Sequence, residues 1–247
     1  MQTEIEIIKS DRHHFYENKG NVGCYHFSVA DYYNPNAMGI GSLRVFNEYI
    51  IQPDLSDLGD RFQSIKDMEI VTLLIDGELE YRDNIGNHER ISAGDMYRIS
   101  AGTGIVYSVK INSKSRRVKI IEAWFYPSKY SLKPSWAKRN FPVETYTDKL
   151  LWTILSEKSS NNLSAIKIHQ DANLYISKLS SQKEIKYKVD QERRVYLVIV
   201  NGKICLNDNS NMDTRDAAKV TSPSENISLR NNDVDSTDLI IVDLPNI

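Results

Sequence analysis

Metal binding or nucleophilic chemistry needs donors or nucleophiles held close together, so the five histidines, the two cysteines and one well-placed acid are the first side chains to weigh. His13 and His14 are adjacent, and on a strand they point to opposite faces. His26 sits in the strand-like Tyr25-His26-Phe27 and reads as a half-buried, hydrogen-bonded histidine. His88 lies in the turn-like Gly86-Asn87-His88-Glu89 and is expected to be exposed. His169 has no His, Cys or carboxylate at ligand spacing beside it, so a hydrogen bond within a sheet is expected for it. Cys24 and Cys205 fall in opposite halves of the chain and fit neither a disulfide framework nor a thiolate zinc site. Both read as buried structural thiols. Gly102-Thr103-Gly104 lacks the lysine and helix of a phosphate loop and reads as a turn. The basic stretch Lys114 to Lys119 has no interleaved aromatics and reads as a solvated loop opening a strand. Glu69 precedes the apolar run Ile70 to Ile75. Pointing inward, it would be a desolvated carboxylate with base character. The expected alternative is an outward position, or a pairing with Lys66 or Arg98.

The elements that must hold these side chains are strands. Period-two alternation recurs in Leu43 to Ile51, Glu69 to Ile75, Gly104 to Ile111, Arg117 to Phe125, Leu174 to Leu179, Val195 to Val200 and Asp238 to Val242. These stretches are rich in Ile, Val and Tyr and bounded by Gly, Asn, Asp and Ser. Only Pro134 to Asn140 reads as a short helix. Ile70 to Tyr81 and Val195 to Leu206 share one plan: an apolar strand, a tight Asp76-Gly77 or Asn201-Gly202 turn, and a second strand. The expected architecture is an all-β, duplicated barrel, with units at 1–140 and 141–247 and a polar linker from Ser156 to Ser164.

Composition narrows the function classes. Thirty-one Lys plus Arg oppose 33 Asp plus Glu, a net charge of −2. That balance argues against direct nucleic-acid binding, which leans on cationic side chains. No apolar run approaches the ~20 residues of a spanning helix, and the N-terminus has no signal-peptide pattern. A cytoplasmic protein without membrane contact is expected, as a monomer or dimer.

Several motifs then occur in a recognisable order. Ala30-Asp-Tyr-Tyr-Asn-Pro followed by Met38-Gly-Ile-Gly-Ser-Leu-Arg-Val resembles the opening of pirin-like proteins. Met68-Glu-Ile-Val-Thr, Tyr81-Arg-Asp-Asn-Ile-Gly-Asn and Ile99-Ser-Ala-Gly-Thr-Gly-Ile-Val-Tyr-Ser are similar to that family's central block. Ile168-His-Gln-Asp-Ala and the closing Val242-Asp-Leu-Pro match its second half. The resemblance implies a bicupin, two cupin-type β-barrels of the double-stranded β-helix or jelly-roll kind, with one iron or similar metal in the first barrel.

In that family, three histidines and a glutamate hold the metal. Alignment on the flanking motifs puts Gln63, Ile65, Tyr107 and Val109 at those four positions. Ile65 and Val109 have no donor atom, and an amide and a phenol are weak donors for a divalent first-row metal. The expectation is therefore no cofactor, and a barrel interior filled with side chains or reduced to a small dry pocket around these four residues, with Glu69 beside them if it points inward. Binding of a small molecule or a protein partner is the expected function. The resemblance also implies two alternatives: a metal-dependent dioxygenase of the quercetin 2,3-dioxygenase type, and a partner-binding transcription co-regulator.

Overall fold

The computed structural model describes residues 4–53, 62–111, 117–157, 164–221 and 226–246. Their regular elements are antiparallel strands, with short 3-10 turns at Ser10–Arg12 and Val143–Thr145. The chain divides into two compact units: His13–Phe141 with Ile168–Gln170, and Met1–Arg12 with Pro142–Lys167 and Asp171–Ile247.

Each unit pairs a seven-stranded sheet with a four-stranded one, and strand order repeats between the units. In the first, Ser135–Asn140, Asp95–Ser100, Glu69–Asp76, Val118–Phe125, Leu43–Ile51, Asn21–Tyr25 and His14–Asn18 lie side by side. Its smaller sheet runs Gln63–Ile65, Ile105–Ile111, Glu78–Asp83 and His88–Ser92. In the second, Glu4–Ile8, Ala217–Thr221, Arg193–Asn201, Thr237–Pro245, Asn173–Leu179, Leu151–Ser156 and Ile166–Ile168 repeat the large sheet. Glu184–Lys188, Asn226–Arg230, Lys203–Leu206 and Ser210–Asp213 repeat the small one. Alternating residues of facing sheets meet inside each unit, as a jelly-roll barrel requires.

The two hairpin glycines hold equivalent places. Gly77 and Gly202 have φ of +89° and +91°. A Cβ on Gly77 would stand 2.4 Å from the Arg117 carbonyl oxygen, and one on Gly202 2.6 Å from Thr237 Oγ1. Positive φ and close approach together demand glycine at both turns.

Two expectations need correction. Ser135–Asn140 is a strand, not a helix: it pairs antiparallel with Asp95–Ser100 over six residues, and Trp136 packs on the first core. The chain also does not divide at 140/141 alone. Glu4–Ile8 pairs with Ala217–Thr221 and so takes, in the second barrel, the edge that Ser135–Asn140 takes in the first.

The second barrel is packed with apolar side chains, among them Leu179, Val195, Leu197, Ile199, Leu229 and Ile241. The first has a comparable cluster around Leu74, Tyr81, Ile91, Tyr97 and Ile105, but it also leaves a cavity. Among the described residues no helix is long and apolar enough to cross a membrane.

Candidate functional site

The cavity of the first barrel measures about 390 Å³, within the usual range for small-molecule sites. Strand alternation supplies its walls. Ile120, Glu122 and Trp124 project from one strand, and Asn47, Tyr49 and Ile51 from its neighbour. Tyr97, Tyr107, Val109 and Gln63 close other sides.

Three of the four residues at the family's ligand positions therefore meet at this cavity. Tyr107 stands opposite Gln63 in the pairing of Ile105–Ile111 with Gln63–Ile65, and its hydroxyl donates to Gln63 Oε1 at 2.9 Å. Ile65, on the same face of its strand as Gln63, packs instead against the apolar cluster. Burial raises the Tyr107 phenol well above its ordinary pKa, with the nearby Glu122 carboxylate adding to the effect.

Glu69 is not part of the cavity. It is 1% exposed and gathers donors from two stretches of chain. Ser100 Oγ donates to Oε1 at 2.8 Å, the His169 backbone N–H to Oε1 at 3.0 Å, and the Gln170 backbone N–H to Oε2 at 2.8 Å. His169 Nδ1 lies 3.0 Å from Oε1. Neither the outward position nor the pairing with Lys66 or Arg98 is what holds this acid. His169 finds its hydrogen-bond partner in a sheet strand, as expected, but the partner is the Glu69 carboxylate. Glu69 ties Ile168–Gln170 to the first unit. Glu69→Ala should cost roughly 3 kcal/mol or more, because several buried donors lose their acceptor at once. Urea unfolding would measure the loss, and Glu69→Gln, which keeps one acceptor oxygen, should lose less.

The remaining histidines carry no cluster. His13 stacks on His26 at 3.9 Å between ring centroids, and His14 on Tyr32 at 4.4 Å. His88 is exposed and pairs with Glu80. Both cysteines are buried, and neither is in a disulfide. Half of the basic stretch at 114–119 and most of the linker at 156–164 lie outside the described residues.

Glu122 is the cavity acid that the sequence pattern did not single out. It is partly open to the cavity yet embedded in protein, and desolvation pushes its carboxyl up to about 7, opposed in part by the Trp124 indole N–H. That N–H donates to Oε2 at 3.3 Å. Across the sheet, Glu122 is in register with Asn47 on one side and Thr72 on the other. Asn47 is 1% exposed; its Nδ2 donates to the Tyr49 hydroxyl at 2.7 Å, while its Oδ1 has no hydrogen-bond partner. A buried acceptor without a donor is unfavourable, and here it belongs to a side chain that lines a cavity. The available signal was parity: Glu122 shares the inward face with Ile120 and Trp124.

Comparison with known proteins agrees with this architecture. The family model described as Pirin matches residues 9–125, and that described as the quercetinase C-terminal cupin domain matches residues 153–244. A putative quercetin 2,3-dioxygenase of Zymomonas mobilis is 35% identical over 194 residues, covering 78% of this chain and 80% of that protein. A quercetin 2,3-dioxygenase of Escherichia coli is 34% identical over 191 residues, covering 77% and 79%. The crystal structure of the E. coli pirin YhhW in complex with nickel(II) superposes with a TM-score of 0.86 at 28% identity, covering 99% of this chain and 100% of that one.

That nickel(II) complex overturns the expectation of no cofactor, because it puts metal binding among the close structural relatives of this chain. The donor set at the four aligned positions here is of a different kind. Ile65 and Val109 offer no donor atom, and the Gln63 amide oxygen already accepts from Tyr107. These four residues do not fit a nickel or iron centre, which draws on imidazole and carboxylate. The matched cupin models, the level of identity and the shared fold together make this chain a member of the pirin family, a bicupin with quercetin 2,3-dioxygenase-like relatives.

Proposed function

We propose that the first barrel binds a small organic molecule in the cavity beside Glu122. The observation that carries this reading is a cavity of about 390 Å³ in the first barrel whose wall, among the described residues, holds a single carboxylate, Glu122. Most of the lining is apolar or aromatic, with a few polar groups among it, as in small-molecule sites generally. At the family's ligand positions, Gln63, Tyr107 and Val109 act as walls of this cavity.

Calorimetric titration with a compact aromatic probe such as benzyl alcohol, against the parent and Val109→Trp, tests the proposal. Val109 lines the cavity, so the larger ring should fill it and abolish saturable binding. Binding that persists unchanged in Val109→Trp, or no binding to the parent by this or the charged analogue below, would overturn the reading.

The names of the relatives favour a second reading, oxygenation of a flavonol. It predicts oxygen uptake with quercetin when nickel(II) or iron(II) is supplied, and turnover abolished by chelation. A flavonol bound without turnover under those conditions would count against it and leave the binding role standing.

A further inference from the structure

We propose that the molecule taken by this cavity is an organic ammonium ion, with Glu122 as its counter-ion. The inference rests on the cavity-binding reading and names its ligand class. Its first support is charge. Glu122 is the one carboxylate among the described residues that line the cavity, and no Lys, Arg or His stands with it there. The ionisable groups facing it are phenols: Tyr16, which also lines the cavity, and four others, Tyr25 and Tyr49 from neighbouring strands of the same sheet, Tyr97 from Asp95–Ser100, and Tyr107 from the opposing sheet. Burial raises all four above their ordinary values, so they stay neutral and supply no compensating charge. A carboxylate in such a place gains most from a cation that arrives with the ligand.

The second support is the balance of donors and acceptors. The Tyr107 hydroxyl is spent on Gln63, Asn47 Nδ2 on Tyr49, and the Trp124 indole N–H on Glu122. An ionised carboxylate has room for about four hydrogen bonds, more than the Trp124 indole and the Thr72 hydroxyl can supply to Glu122. An ammonium head carries three donors and no acceptor, which answers this need; a carboxylate or phosphate ligand would face the acid with like charge and no donor.

The third support is the wall. Tyr49, Tyr97, Tyr107 and Trp124 surround the acid, and aromatic rings attract organic cations through the charge distribution of their faces. A strongly hydrated metal ion would be better served by several oxygens than by this ring-lined space.

Titration calorimetry near pH 8 with benzylamine, protonated there, and with benzyl alcohol, its neutral counterpart, tests the assignment when run on the parent and on Glu122→Gln. The parent should bind the ammonium at least about ten-fold more tightly than the alcohol. Glu122→Gln should lose about ten-fold or more for the ammonium and leave the alcohol within roughly three-fold. Equal affinity for both probes in the parent, or ammonium affinity unchanged in Glu122→Gln, would overturn the ammonium assignment while the cavity still binds. Failure of both probes to bind the parent would instead remove the cavity reading on which the assignment rests. Should Glu122→Gln not fold, the two probes compared on the parent alone still separate these outcomes.

Discussion

Gln63→His, Ile65→His, Tyr107→His and Val109→Glu, introduced together, should raise nickel(II) affinity over the parent by several orders of magnitude and leave the metal bound through desalting. The register supports this. Gln63 and Ile65 share one face of a strand, and Tyr107 and Val109 share one face of its neighbour, with Tyr107 directly opposite Gln63. Opposed residues on adjacent strands have Cβ atoms about 5 Å apart, within reach of imidazole and carboxylate ligands converging on one ion. A complete four-ligand site of this type contributes on the order of 10 kcal/mol of binding free energy, whereas any single substitution leaves aliphatic groups in the set. An unoptimised outer shell would give back about 10- to 100-fold, and that still leaves a large gain. Ile65 packs on the apolar cluster, so histidine there should lower stability modestly, and circular dichroism is needed beside the metal assay. A folded quadruple variant with the parent's nickel affinity would show that the four side chains do not converge.

That these positions could be named at all reflects how local the signals are. Leu43–Ile51 and Val118–Phe125 are legible as strands from their short runs of β-branched and aromatic residues, although both of their faces are largely buried. Asp76-Gly77 and Asn201-Gly202 mark equivalent hairpins because only glycine suits their backbone and their close neighbours. The features not legible are those set by distant partners. Trp136-Ala137-Lys138-Arg139 suits a helix about as well as a strand, and pairing with Asp95–Ser100 decides it. The partner of Glu4–Ile8 lies at Ala217–Thr221, at the far end of the chain, and no local pattern points there. Glu69 and His169 meet through the fold alone. Glu122 was within reach of sequence reasoning, since an acid at inward parity between Ile120 and Trp124 contradicts the apolar pattern around it. Such a local contradiction marks function more often than error in a natural chain.

The same contradiction sets a pH dependence of stability. Glu122 has an ordinary carboxyl value of 4.5 and is pushed up to about 7 in the folded barrel, chiefly by desolvation. The folded state thus holds a proton that the unfolded chain releases between those values. Stability attributable to this group is fully present below about pH 4.5, falls as pH rises toward 7, and levels off above it. At about 1.4 kcal/mol per pH unit, the loss across that window is on the order of 3 kcal/mol. Glu122→Gln keeps the shape, still accepts the Trp124 N–H through its amide oxygen, and carries no ionisable proton. The variant should therefore match the parent near pH 4 and exceed it by up to about 3 kcal/mol near pH 8. Urea midpoints measured across this range, without ligand, would show two curves that diverge with rising pH. Parallel curves would mean that the carboxylate is hydrated or paired in the folded protein, and the acid would then have no unmet charge to offer a ligand. Divergence of the opposite sign would mean that a cation already sits beside it. An added organic cation should close the gap from the parent's side only, because a ligand that binds the folded state stabilises it in proportion to the logarithm of its concentration over Kd, and Glu122→Gln lacks the charge that would hold it.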